Sequence, residues 1–318
     1  MDKLTVSYTP HIHGANNIRK IMLDVIIALM PASIGAIYFF GLSALVEIVS
    51  SVAFSVLFEY LWNKAIKKEN TTGDLSAVVT GLLLALTLPS GVPLWMVMIG
   101  DAFAIVVVKC FYGGIGQNFV NPALAARAFL LACWPVAMTS FESPNDFLRL
   151  FNSGVDAVSG PTPLAVIKEG GTNYDLINLF FGYIPGSIGE VSAFLLLIGG
   201  AYLLLRKVIS VVIPATYIIA VGVFGILFTD YGFLFNILSG GIILAGFFMA
   251  TDYTTSPVSK KGQFIYAIGA ALITSVIRSF GGYPEGITYA ILIMNIATPL
   301  IDKYIRPRKF GKAMKANG

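Results

Sequence analysis

Apolar residues along this chain run in long unbroken blocks, and polar residues gather between the blocks instead of being woven through them. Most blocks approach the ~20 residues that a helix needs to cross a bilayer. The pattern predicts spans near 21–40, 43–62, 75–89, 93–112, 122–140, 190–206, 208–228, 232–250, 263–281 and 286–303. The expected fold class is therefore an all-α polytopic membrane protein with ten transmembrane helices. A lead-in (1–20) precedes five spans (21–140), a hydrophilic interval (141–189) separates them from five more (190–303), and a basic tail (304–318) follows. No small-residue cleavage site follows the first block, so it reads as a retained helix and not a signal peptide.

Two of the spans end in breaks. The third runs into Leu88-Pro89-Ser90-Gly91 and the eighth into Thr251-Asp252-Tyr253-Thr254-Thr255. The chain also repeats itself weakly. "KCFYGGIGQNFVNPALAARAFL" after the fourth span and "RSFGGYPEGITYAILIMNI" after the ninth share a basic residue, a Phe, a Gly-Gly element and a following apolar helix. Lys109 then matches Arg278, and "TGLLLAL" at Thr80–Leu86 resembles "GGIILAG" at Gly240–Gly246. Five spans per half is an odd number, so the halves are expected to be inverted relative to each other. Broken segments in such repeats either wall a site near the midplane or form tight surface turns.

Composition agrees with the pattern: 56% of residues are hydrophobic, only 12% are charged, and the mean hydropathy is +0.80. Soluble domains carry about 25% charged residues. The net charge of +4 is a matter of topology and not of a nucleic-acid partner. With the N-terminus in the cytoplasm, all 21 basic residues except Arg127, Arg149, Lys168 and Arg278 fall on the inner side. Both termini are then cytoplasmic, and the interval 141–189 faces away from the cytoplasm. The two cysteines, Cys110 and Cys133, form no CxxC and suggest neither a disulfide framework nor an iron–sulfur cluster. No serine–histidine–acid set or paired catalytic carboxylates appear.

Ionisable groups inside spans each call for a reason. Asp24 lies one helical turn from Lys20, close to the inner interface, where a local pair or snorkelling accounts for it. Glu47 and Glu59, toward opposite ends of the second span, are expected to be wet. Asp101 falls mid-span, and Arg127 within the next helix; either they form a buried pair or Asp101 lies on a cation path. Asp252, at a helix break, suits a cation or the donor groups of a ligand. In "GGIGQNFVNPAL", Asn118 and Asn121 offer amides that can read a planar heterocycle, while Asn121 before Pro122 also fits a helix N-cap. His11 and His13, without a nearby carboxylate or cysteine, make a poor metal site.

"DAVSGPTPLA" at 156–165 reads physically as a turn punctuated by Gly and Pro, with the Thr162 hydroxyl presented to an outside enzyme. Together with "LTVSYTPHIHGANNIRKIMLDVIIALMPA", "GGIGQNFVNPALAARAFL", "MATDYTTSP" and "GGYPEGITYAILIMN", it closely resembles the family of the D subunit of the bacterial Rnf electron-transport complex. The B subunit of the sodium-pumping NADH:quinone reductase is a more distant likeness. The resemblance runs in order from Leu4 to about Asp302.

That resemblance implies a multi-pass protein of the bacterial inner membrane, working with the A, B, C, E and G subunits of an ion-translocating ferredoxin:NAD+ oxidoreductase that moves Na+ or H+. It implies FMN joined through its phosphate to Thr162 on the extracytoplasmic side by a separate flavin transferase, with Ser159, Gly160 and Asp156 in support. Pro161 stands where the family usually has alanine. The likeness to the quinone reductase implies a second, non-covalent flavin (riboflavin) near Asn118 and Asn121. The coupling ion is expected at the broken segments, with Asp252 as first candidate and Asp101 as second. The rival reading is an inverted-repeat solute transporter or channel without a redox cofactor. A structural anchor for redox partners is a third.

Overall fold

Each of the ten apolar blocks contains helix, and no strand forms among the described residues of the computed structural model. These residues are 17–68, 70–144, 160–168, 175–190, 192–229, 231–281 and 286–305. His11, His13, Asp156 and Ser159 lie outside them. The first five blocks give α1 (Ile18–Phe40), α2 (Leu42–Ile66), α3 (Ser76–Thr87), α4 (Leu94–Ala102, continued as a π-helix over Phe103–Cys110) and α5 (Pro122–Cys133) with a short α6 (Pro135–Thr139). The hydrophilic interval holds two short helices, α7 (Pro163–Lys168) and α8 (Leu176–Phe181). The second five give α9 (Ala193–Leu205), α10 (Val212–Phe228), α11 (Phe233–Leu238), α12 (Ile242–Leu244, continued as a π-helix over Ala245–Met249), α13 (Lys260–Phe280) and α14 (Ile287–Tyr304). By length and composition α1, α2 and α13 can each cross a membrane.

The long helices are apolar outside and polar or small inside, the reverse of a soluble fold. On α1, Leu23, Ile27, Met30, Ile34 and Tyr38 are exposed, while Asp24, Ala28, Ala32, Gly35 and Ala36 are buried. On α13 the buried face is Gly262, Tyr266, Ala267, Ala270, Ala271, Thr274, Ser275 and Arg278, with Phe264, Ile265, Leu272 and Val276 outside. Small residues let helix backbones approach where lipid, and not water, is the alternative neighbour. At Gly199 of α9 an added Cβ would sit on the carbonyl oxygen of Ala28, so α1 and α9 touch backbone to backbone.

α3 holds the centre. Every residue from Ser76 to Thr87 except Val78 is buried, yet twelve residues span only ~18 Å. Its end is therefore non-helical backbone at depth, which must be satisfied by protein. Gly189 N donates to Leu86 O at 2.8 Å, and Ile188 N donates to Leu88 O at 2.9 Å. Gly189 cannot carry a side chain, since its Cβ would lie 2.5 Å from that of Leu86. Arg127 on α5 holds the same strand of chain, donating to Glu190 Oε1 at 2.8 Å and Ser187 Oγ at 3.4 Å. The segment before α9 thus enters the fold and caps α3 instead of lying in a loop. The eighth block carries an unexpected break at Ser239–Gly241, where Arg278 donates to Asn236 O (3.1 Å) and Ser239 O (2.9 Å).

Candidate functional site

The break at Thr251–Thr254, the turn Ile115–Asn121 and the buried flank of α3 enclose a cavity of ≈ 110 Å³. Both π-helical segments border it, through Lys109 on one side and Phe247 and Phe248 on the other. A π turn adds a residue to the helical repeat and re-aims the side chains that follow, a recurrent device at sites. Gly113, Gly114 and Gly116 all have φ between 85° and 122°, so the turn that delivers the asparagines is built on left-handed backbone.

Asn118, Asn121 and Asp252, far apart in sequence, all line this cavity. The Asn121 side-chain oxygen accepts from Ala123 N (3.1 Å) and Leu124 N (3.2 Å), capping α5, and its amide nitrogen donates to Met249 O at 3.4 Å. The cap reading is thus correct, and one N–H remains for a ligand. Its own backbone N–H is received by the Asn295 side chain at 3.1 Å once that amide is oriented to satisfy both ends; the Asn295 nitrogen then donates to the Tyr266 hydroxyl at 2.7 Å. Asn118 donates to Val120 O at 3.1 Å, which fixes its amide beside the cavity. Asp252 accepts from Thr254 N (3.3 Å), Thr254 Oγ1 (3.2 Å) and Thr255 Oγ1 (3.2 Å). Two amides and a carboxylate at the rim of an apolar slot offer hydrogen-bond donors and acceptors to the polar edge of a ligand.

Of the two breaks expected to wall a site, the one at Asp252 lines this cavity. The other, at Leu88–Gly91, is closed by Ile188 and Gly189 as described.

Thr162 is not presented to the outside. It is 5% exposed and caps α7, with Ala165 N donating to its hydroxyl at 3.2 Å and Val166 N to its carbonyl at 3.0 Å. The hydroxyl fits a phosphoester chemically, and a groove lined by Pro161, Pro163, Asp175, Asn178 and Tyr183 lies alongside. Reaching it requires the turn to open. Gly160 is anchored to the preceding segment through its N–H, which donates to Phe141 O at 3.0 Å.

The buried charges are arranged differently from expectation. Glu47 and Glu59 are not wet; each is 2% exposed. Glu59 pairs with Lys109 at 3.0 Å, and Lys109 also donates to Ser76 Oγ at 2.6 Å. Asp101 and Arg127 do not pair. Arg127 serves Glu190, and Asp101, fully buried, accepts from Ser51 (2.9 Å) and Ser55 (2.8 Å) on α2. Asp24 is joined across to α9, accepting from Tyr202 (3.0 Å) and Arg206 (3.2 and 3.3 Å). The polar face of α2 was missed as a unit. Its signal was visible, because Glu47, Ser51, Ser55, Glu59 and Asn63 recur every four residues inside a span.

Residues 5–311 match the model of the NQR2, RnfD, RnfE family. The chain is 49% identical over 312 residues to the D subunit of the Na(+)-translocating ferredoxin:NAD(+) oxidoreductase complex of Acetobacterium woodii, covering 97% of this chain and 95% of that protein. It is 42% identical over 326 residues to the D subunit of the proton-translocating ferredoxin:NAD(+) oxidoreductase complex of Clostridium ljungdahlii, covering 96% of each. The D subunit of the ion-translocating oxidoreductase complex of Escherichia coli is 33% identical over 348 residues, covering 96% of this chain and 98% of that protein.

Proposed function

The chain belongs to the NQR2, RnfD, RnfE family, and from that premise we propose that it is a flavin-holding membrane subunit of an ion-translocating ferredoxin:NAD+ oxidoreductase. The observation that carries this reading is the cavity that draws Asn118 and Asn121 from the first half and Asp252 from the second to one apolar slot. A solute transporter without cofactor is the alternative, and fold alone does not choose between them.

In this reading riboflavin occupies the cavity, and FMN is bound to Thr162. The flavins supply the redox chemistry; the chain's share is position, potential and exclusion of water. Asn118 and the spare Asn121 N–H orient the ring edge, Phe247 and Phe248 wall it, and Lys109 and Asp252 set the charge around it. Other Rnf subunits hand electrons on, and a flavin transferase installs the FMN.

The spans form two inverted five-helix halves in the inner membrane, with both termini cytoplasmic and the Thr162 turn outside. Support for the pseudo-two-fold comes from packing. α1 lies on α9, and α5 on α14, so these contacts between the halves join elements that correspond in the repeat. Lys109 and Arg278, matched in sequence, are both buried and each reaches the broken third element of its own half, at Ser76 and at Ser239. A change of charge in the cavity biases the halves between two arrangements, and the coupling ion is held at Asp252 or Asp101. Na+ and H+ are both open, since the two similar bacterial relatives are named for different ions.

The test is intact mass and flavin fluorescence of the subunit co-expressed with a flavin transferase, beside Thr162→Ala. An FMN increment in the parent that is missing in the variant, with a second flavin released on denaturation, supports the reading. A bare polypeptide in the parent, in Thr162→Ala and in Pro161→Ala sinks it in favour of the transporter.

A further inference from the structure

α2 turns a continuous polar stripe toward α3 and α4. Glu47, Ser51, Ser55, Glu59 and Asn63 are all buried, and they cover ~24 Å of helix, most of a ~30 Å hydrocarbon core. Partners extend the stripe at both ends. Toward one end Glu142 accepts from Ser90 at 2.8 Å, and the charges that act on Glu47 are the carboxylates of Glu142 and Asp101. Toward the other, Asn63 donates to Thr71 at 3.0 Å, Thr71 donates to Glu59 at 2.8 Å, and Glu59 meets Lys109 on the cavity wall.

Within this seam four carboxylate oxygens are orphaned, of which Glu59 Oε2 belongs to a carboxylate already paired with Lys109. Both Glu47 oxygens and Asp101 Oδ2 are buried without a hydrogen-bond partner among the described residues. A carboxylate left ionised and unpaired at such depth costs far more than a fold can carry, so each must hold a cation or a proton. The ligands are all oxygen: carboxylates, the Ser51 and Ser55 hydroxyls, and Gly81 O, which accepts from Ser51 at 2.8 Å. Oxygen ligands suit hard cations and not thiophilic metals. Glu47 and Asp101 each carry one carboxylate, whose single negative charge one monovalent cation or proton balances.

We infer that the buried face of α2 is a monovalent-cation path, in which Glu47 and Asp101 bind the ion in turn and the Lys109–Glu59 pair links it to the cavity. This rests on the reading of the chain as an ion-translocating subunit and assigns the ion to the first half instead of to Asp252. Proton and Na+ share the required chemistry, and the test separates them. Lys109 touches both Glu59 and the cavity, so a charge arriving in the cavity changes the hold on the innermost carboxylate of the path.

The experiment uses the assembled complex in native membrane vesicles. Dicyclohexylcarbodiimide, which modifies protonated carboxyls in apolar surroundings, is followed by peptide mass mapping at several NaCl concentrations, with KCl controls and a pH series. Labelling of Glu47 or Asp101 that NaCl suppresses and KCl does not identifies Na+. Labelling that rises with acidity and ignores NaCl identifies the proton. In proteoliposomes, Glu47→Gln and Asp101→Asn are each expected to reduce ions moved per electron to the level of ionophore-treated vesicles. Absence of label at both residues, or a parental ion-to-electron ratio in both variants, overturns the path. A parent complex without flavin or electron transfer contradicts the functional reading instead, and the labelling of the two carboxyls stands apart from that result.

Discussion

Lys109 shows how a single side chain sustains a buried charge. Glu59 is 2% exposed and has Lys109 as its cationic partner at 3.0 Å. Lys109→Met strands that carboxylate, and such single removals typically cost about 3–5 kcal/mol. The expected readout is a large drop in thermal stability in detergent or nanodiscs. Adding Glu59→Met to it should recover most of the loss, because the paired deletion leaves no orphan charge. A double variant no better than the single one would show that packing, and not charge, governs the site. At this scale the sequence was partly legible. That Asp101 and Arg127 were buried could be read from their spans, but their partners could not. Glu190 and the serines of α2 come from elements whose contact only the folded chain decides.

At the scale of elements, the α5 N-terminus separates two roles of one residue. Asn121→Ser keeps a side-chain oxygen for Ala123 and Leu124 but removes the amide N–H aimed at Met249 and the cavity. The helix should keep nearly all its stability, whereas Asn121→Ala forfeits the cap, worth about 1 kcal/mol. On the proposed function both should lose the non-covalent flavin, seen as a fall in flavin released on denaturation; retention in the serine variant would reduce Asn121 to a cap. Gly189→Ala tests the closure of α3. A methyl 2.5 Å from Leu86 Cβ against a paired backbone cannot be absorbed without shifting the segment, so overpacking should cost about 1–3 kcal/mol of stability. That each apolar block would hold helix was legible from block length alone; α1, α2 and α13 are long and apolar enough to cross a membrane. The break at Ser239–Gly241 was not, since Gly-Gly in an apolar run is also how tightly packed membrane helices read. The two π segments leave no sequence signature, because a π turn changes registry and not residue type.

For the whole molecule, the proposed topology makes a prediction about its two cysteines. Cys133 is exposed at the end of α5, and Cys110 is buried. A membrane-impermeant maleimide should label Cys133 in right-side-out vesicles and leave Cys110 untouched; labelling confined to inside-out vesicles would invert the assignment. The lysine and arginine asymmetry supplies the orientation that this labelling tests, whereas the entry of residues 187–190 into the fold was not readable in the sequence. That segment reads as the end of a polar loop, and it becomes a wall only because α3 is too short to finish its own crossing. The recessed Thr162 hydroxyl sets an order of manufacture. If that threonine receives FMN, the modifying enzyme must reach the turn before α7 closes over it, or wait for it to reopen. Maturation is then a race between folding and modification. Whatever favours the closed turn, as Pro161 does beside a freer residue at that position, would leave a growing share of well-folded subunits permanently without that group.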